Sequence, residues 1–91
     1  MGPDEGVQQV LQTLVGSLPG HGFAGAVWVR SGIFFAEARV FPRHAMSESE
    51  GVVETIKVES TNHAAAMDLL EQEIEQRFGS IKAIVWLKKE P

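Results

Sequence analysis

The chain has no cysteine among its 91 residues. That absence removes a disulfide framework, a thiolate zinc site and a cysteine nucleophile, and it suits a reducing compartment. Long apolar runs are missing as well. The longest are broken by Arg30, Glu37 and Arg39, and none reaches the roughly 18 residues that a membrane helix requires. The start, Met1-Gly2-Pro3-Asp4-Glu5, is acidic where a secretory signal is basic, and no apolar stretch follows it, so a cytoplasmic protein outside the membrane is expected. Positive charge is also scarce. Eight Lys and Arg stand against twelve Asp and Glu for a formal net charge of −4, which disfavours holding a nucleic-acid backbone by charge alone.

What is present suits one globular domain spanning 1–91. Hydrophobic residues make up 44% and charged residues 22%, ordinary values that exclude disorder and fibrous repeats. A chain of this length holds one core, and with no covalent staple that core rests on packing. Val7, Val10, Leu11, Leu14, Val15 and Leu18 follow the i, i+3, i+4, i+7 series, which predicts a helix over about 4–18. Pro3, Asp4 and Glu5 suit its first turn, and Pro19-Gly20 would end it. A second helix is expected over about 62–78, after a Ser60-Thr61-Asn62 capping cluster and before Gly79. Its buried stripe is Ala66, Met67, Leu70, Ile74 and Phe78, while Asp68, Glu71, Gln72 and Glu75 face solvent.

Between the helices, Phe23 to Arg30 and Ile33 to Phe41 flank Ser31-Gly32, a two-residue hairpin loop because Gly supplies positive φ cheaply. Further strands are expected over Val52 to Glu59, rich in Val, Thr and Ile, and over Ile81 to Lys88, after a two-residue turn from the second helix. Residues 42–51 are polar and form a long, mobile connection. The expected fold class is therefore α+β: a two-layer α/β sandwich of order α-β-β-β-α-β, with a mostly antiparallel four-stranded sheet and two helices on one face. That order resembles the double-stranded RNA-binding domain, with its α-β-β-β-α arrangement extended by a strand. The likeness ends at topology, because Asn62-His63-Ala64-Ala65-Ala66 carries no Lys or Arg where that family grips phosphates.

The hairpin loop sets a register of Arg30 with Ile33, Val29 with Phe34, Trp28 with Phe35 and Ala26 with Glu37. One side then collects Phe23, Val27, Val29, Phe34, Ala36, Ala38 and Val40, an unbroken apolar set that belongs under helices. Val52, Ile56 and Val58, with Ile81, Ala83, Val85 and Leu87, are assigned to the same side. The opposite side receives Trp28, Arg30, Ile33, Phe35, Glu37 and Arg39, joined by Lys57, Ile84 and Trp86. Large apolar groups mixed with charges do not make a sealed core. Left without a helix, they form an apolar patch with a charged border, the usual mark of an interaction surface.

No motif names a reaction. Gly20-His21-Gly22-Phe23-Ala24-Gly25 spells G-x-G-x-x-G, but a helix is expected before it, whereas the dinucleotide motif follows a strand and the kinase-type loop joins two strands. His21, His44 and His63 lack the helical i, i+4 spacing of a metal pair, and His44 with Glu48 and Glu50 would hold a cation weakly. A serine, a histidine and a carboxylate can be assembled into a triad only by chance spacing. No catalytic residue, metal site or cofactor is expected. The leading expectation is a non-catalytic binding module that homodimerises through the open sheet face, with room for a small-molecule cleft at the edge of the interface. Alternatives are single-stranded nucleic-acid binding, with bases stacked on the aromatic residues of that face and phosphates met by Arg30, Arg39, Lys57 and Lys88, and an enzyme or ligand-binding site centred on Glu37 and Arg39.

Overall fold

The computed structural model describes residues 9–43 and 51–88. Within them the chain forms β1 (Gln9–Leu18), β2 (His21–Arg30), β3 (Ile33–Pro42), β4 (Glu54–Ser60), α1 (His63–Phe78) and β5 (Ala83–Lys88). The α+β class holds, with five strands and one helix rather than four and two. The strands make a single sheet in the order β4-β3-β2-β1-β5, and every pairing is antiparallel.

The first element is the main correction: the segment expected to be a helix is a strand. Leu14 and Leu18 are buried, and a spacing of four puts two residues on one face of a helix and equally on one face of a strand. The two conformations are told apart by Val15, which a helical stripe would bury and which is 48% exposed. A register shift between Val10 and Gln12 inserts one extra residue, as a β-bulge does. It carries Val10 and Val15, five apart, onto the same face, so the strand departs from plain period-two alternation. Pro19-Gly20 is then a hairpin loop and not a helix stop. Leu18 pairs with His21, and Gly20 has φ +78°, as a turn with Pro at its second position and Gly at its third demands. With a strand where the first helix was expected, the likeness to the double-stranded RNA-binding order does not hold. The start of the expected helix, Pro3 to Val7, lies outside the described residues, as do His44, Glu48 and Glu50 of the expected mobile connection.

The β2–β3 hairpin follows the expected register residue by residue. Ser31 and Gly32 take φ of +54° and +79°, the pair of positive angles that matches the twist of the flanking strands. Helix α1 is also close to expectation. The Asn62 side chain accepts a hydrogen bond from the Ala65 amide at 2.9 Å, satisfying one orphan donor of the first turn. Gly79 follows the last helical residue with φ +94°.

Sixteen residues make a helix about 24 Å long, close to the length of seven-residue β4, about 23 Å. The helix runs back along β4: His63 at its start stacks on Phe34, opposite Ser60, and Phe78 at its end lies against His21 at the other end of the sheet, from where the chain passes to β5 beside β1. Arg77, near its C-terminal end, pairs with Glu54 of β4 and lies 3.5 Å from Glu73. The Ile81 amide donates to Glu75 at 3.0 Å, and the Lys82 amide to the Ser17 carbonyl at 2.9 Å, fixing the entry to β5. The core lies between α1 and the sheet. Ala66, Leu70 and Ile74 of the helix join Leu14, Leu18, Phe23, Val27, Ala36, Ala38, Val40 and Ile56, all buried, with Phe34, Val58, Met67, Phe78, Ile81, Ile84 and Trp86 packed around them.

Two face assignments are corrected here. Val52 is exposed and precedes β4. In β5 the alternation is opposite to that expected: Ile84 and Trp86 pack against the core, whereas Val85 and Leu87 are about half exposed. Pairing with β1 decides it, since Trp86 lies opposite buried Leu14 and Val85 opposite Val15. Trp86 Nε1 donates to Glu71 of α1 at 2.9 Å, giving the indole the polar partner that a half-buried ring needs. Glu71, expected to face solvent, is drawn into the packing by that bond.

Candidate functional site

With one helix and one sheet, the second face of the sheet has no covering element among the described residues. It was reached above through the hairpin register, and that register places Trp28, Arg30, Ile33, Phe35, Glu37 and Arg39 there together. Lys57 joins them, directly opposite Glu37. Ile84 and Trp86 do not, because their strand presents its other side.

Trp28 and Phe35 are cross-strand neighbours, stacked with ring centroids 5.8 Å apart and planes 17° from parallel. Lys57 Nζ lies 5.7 Å from each centroid, within the range of a cation–π attraction. Trp28 is only 8% exposed, so its ring is already covered. A base-stacking platform needs open ring faces, and the expected pair of tryptophans does not form one. Trp28 is covered and Trp86 faces the helix.

Within the strands of this face the exposed aliphatic side chains lie at the β1–β5 end; Val52 and Val53, also exposed, precede β4. Val15, Val85 and Leu87 are 48, 50 and 49% exposed. Val15 and Val85 are direct cross-strand partners, and Leu87 sits opposite Thr13. Ala24 and Ala26 of β2 continue the same rows toward Arg39 and Glu37 of β3. The face thus grades from aliphatic at β5, through small residues on β2, to charged on β3 and β4. Sequence reading missed Val15 and placed Val85 and Leu87 in the core. The one available signal was that Ala83 to Leu87 is apolar on both alternates, so alternation alone had no power to choose.

No family model, curated protein or solved structure matches this chain. Its function has to be argued from the surface itself.

The glycine-rich segment 20–25 joins two strands, β1 and β2, so the expected preceding helix is no ground for setting it apart from strand-to-strand glycine loops. Packing accounts for its glycines. A Cβ on Gly22 would come 2.9 Å from the Phe41 ring, and one on Gly25 would come 1.8 Å from the Glu37 carbonyl oxygen. Gly20 supplies the turn. His21 lies against Phe78, with centroids 5.2 Å apart, and His63 stacks on Phe34 at 5.4 Å. The two imidazoles are thus engaged separately, each with its own aromatic ring.

Among the described residues no helix is long and apolar enough to cross a membrane.

Proposed function

We propose that this domain is a non-catalytic interaction module that self-associates through the face of its sheet opposite α1. The observation that carries the reading is the cluster of Val15, Val85 and Leu87, three aliphatic side chains about half exposed and adjacent on neighbouring strands. Aliphatic groups gathered on one surface, grading into charges, have the composition of an interface core and rim. A second copy is the partner that needs no further component, and sheet-on-sheet packing would cover the cluster.

Analytical ultracentrifugation tests the reading. The wild-type chain is expected to sediment as a dimer at roughly micromolar concentration, the scale of a modest association free energy. Val85→Glu is expected to weaken the dimer at least tenfold, about 1.4 kcal/mol, by placing a charge in the apolar contact. A wild-type chain that stays monomeric at ten times that concentration would remove the reading.

A further inference from the structure

Cross-strand pairing draws two rows of side chains across the sheet face opposite α1. One row runs Lys57, Glu37, Ala26, Thr13, Leu87, and the next runs Thr55, Arg39, Ala24, Val15, Val85. Neighbouring rows are two residues apart on each strand, about 6.7 Å.

Consider a two-fold axis lying in the contact plane, perpendicular to the strands and midway between these rows. It lays the first row of one copy over the second row of the other. Leu87 then meets Val85 of the second copy, Thr13 meets Val15, Ala26 meets Ala24, and Glu37 meets Arg39. Because such a contact is isologous, each pairing occurs twice. Other placements match less well. An axis over the first row opposes Glu37 to Glu37 and Lys57 to Lys57, and an axis over the second opposes Arg39 to Arg39. An axis parallel to the strands over central β2 sets the aliphatic β5 end against charged β4. Like charges brought face to face cost affinity and steer partners away from that arrangement.

Building on the self-association proposed above, we propose that two copies stack face to face about the axis between Glu37 and Arg39 of β3, so that each Glu37 carboxylate meets the Arg39 guanidinium of the second copy. Arg39 also interacts within its own chain, and a guanidinium, with five N–H donors, can serve more than one acceptor. The aliphatic end supplies apolar burial, and the reciprocal ion pairs set the register between copies.

Charge exchange with sedimentation as the readout tests this. Glu37→Arg leaves Arg opposite Arg in both pairings, and Arg39→Glu leaves Glu opposite Glu. Each variant alone is expected to dimerise at least about tenfold more weakly than wild type, the lower end of the coupling between close interfacial charges. Mixed in equal amounts they are expected to dimerise again, because every contact is then Arg against Glu. The double variant carrying both changes is also expected to dimerise. Recovery on mixing requires both variants to be folded, so misfolding cannot imitate it. Single variants that dimerise like wild type, or a mixture that stays monomeric while wild type and double variant dimerise, would overturn the axis. If Val85→Glu still dissociates the dimer in that case, face association stands and only its register falls. A monomeric wild type sinks both.

Discussion

Gly16 faces the core side of β1 and has no room for a side chain. A Cβ there would lie 2.2 Å from Phe23 Cζ and 2.6 Å from the Ala83 carbonyl oxygen. The Phe23 ring, 1% exposed, occupies the space on β1 that any other residue would fill. Gly16→Ala is therefore expected to destabilise the fold by about 1–3 kcal/mol, the usual cost of overpacking, read as a lower urea midpoint. Adding Phe23→Leu should return part of that loss by vacating ring volume. If Gly16→Ala alone leaves the midpoint unchanged, the close packing of Phe23 over Gly16 is wrong. Gly16 falls inside the helix expected over about 4–18, since a glycine required for close approach and one tolerated in a helix are written with the same letter.

At the scale of elements, the β2–β3 hairpin and α1 were legible because each is specified by neighbours in the chain. Ser31-Gly32 sets a register without outside help, and Asn62 and Gly79 bracket a stripe of Ala66, Leu70 and Ile74. The hairpin makes a further prediction. Ser31 holds φ +54°, an angle that costs a serine more than an asparagine. Ser31→Asn is expected to stabilise the domain by a few tenths of a kcal/mol, on the order of the preferences among turn residues, and thermal unfolding should show a slightly higher midpoint. A lower midpoint would mean that the Ser31 side chain has a role beyond the turn. β1 was not legible for the opposite reason. Its buried Leu14 and Leu18 satisfy both periods, and the bulge between Val10 and Gln12 breaks the period-two alternation that would mark a strand. Which conformation wins depends on β2 and β5 lying on either side of it, and those contacts are distant in sequence.

At the scale of the whole molecule, one helix serves a five-stranded sheet among the described residues, and on the opposite face Val15, Val85 and Leu87 stay about half exposed. The exposure of Val85 separates folding from assembly. A half-exposed residue on a short edge strand contributes little to the monomer, so Val85→Glu should change unfolding free energy by about 1 kcal/mol or less, measured by denaturation at concentrations where the monomer prevails. The same substitution should have its larger effect on the sedimenting species. A large loss of monomer stability would instead place Val85 in the core. The sequence by itself determined the α+β class, the β2–β3 register with both of its faces, and the extent and capping of α1, because these depend on period-two alternation, turn chemistry and caps acting over a few residues. Only the tertiary structure decided that the first segment is a strand and that β5 turns Ile84 and Trp86 inward, leaving Val85 and Leu87 outside. Both outcomes depend on the pairing of β1 with β5. In a segment apolar on both alternates, a shift of one residue in that pairing exchanges every side chain between the faces, so local pattern leaves the choice open and the neighbouring strand makes it.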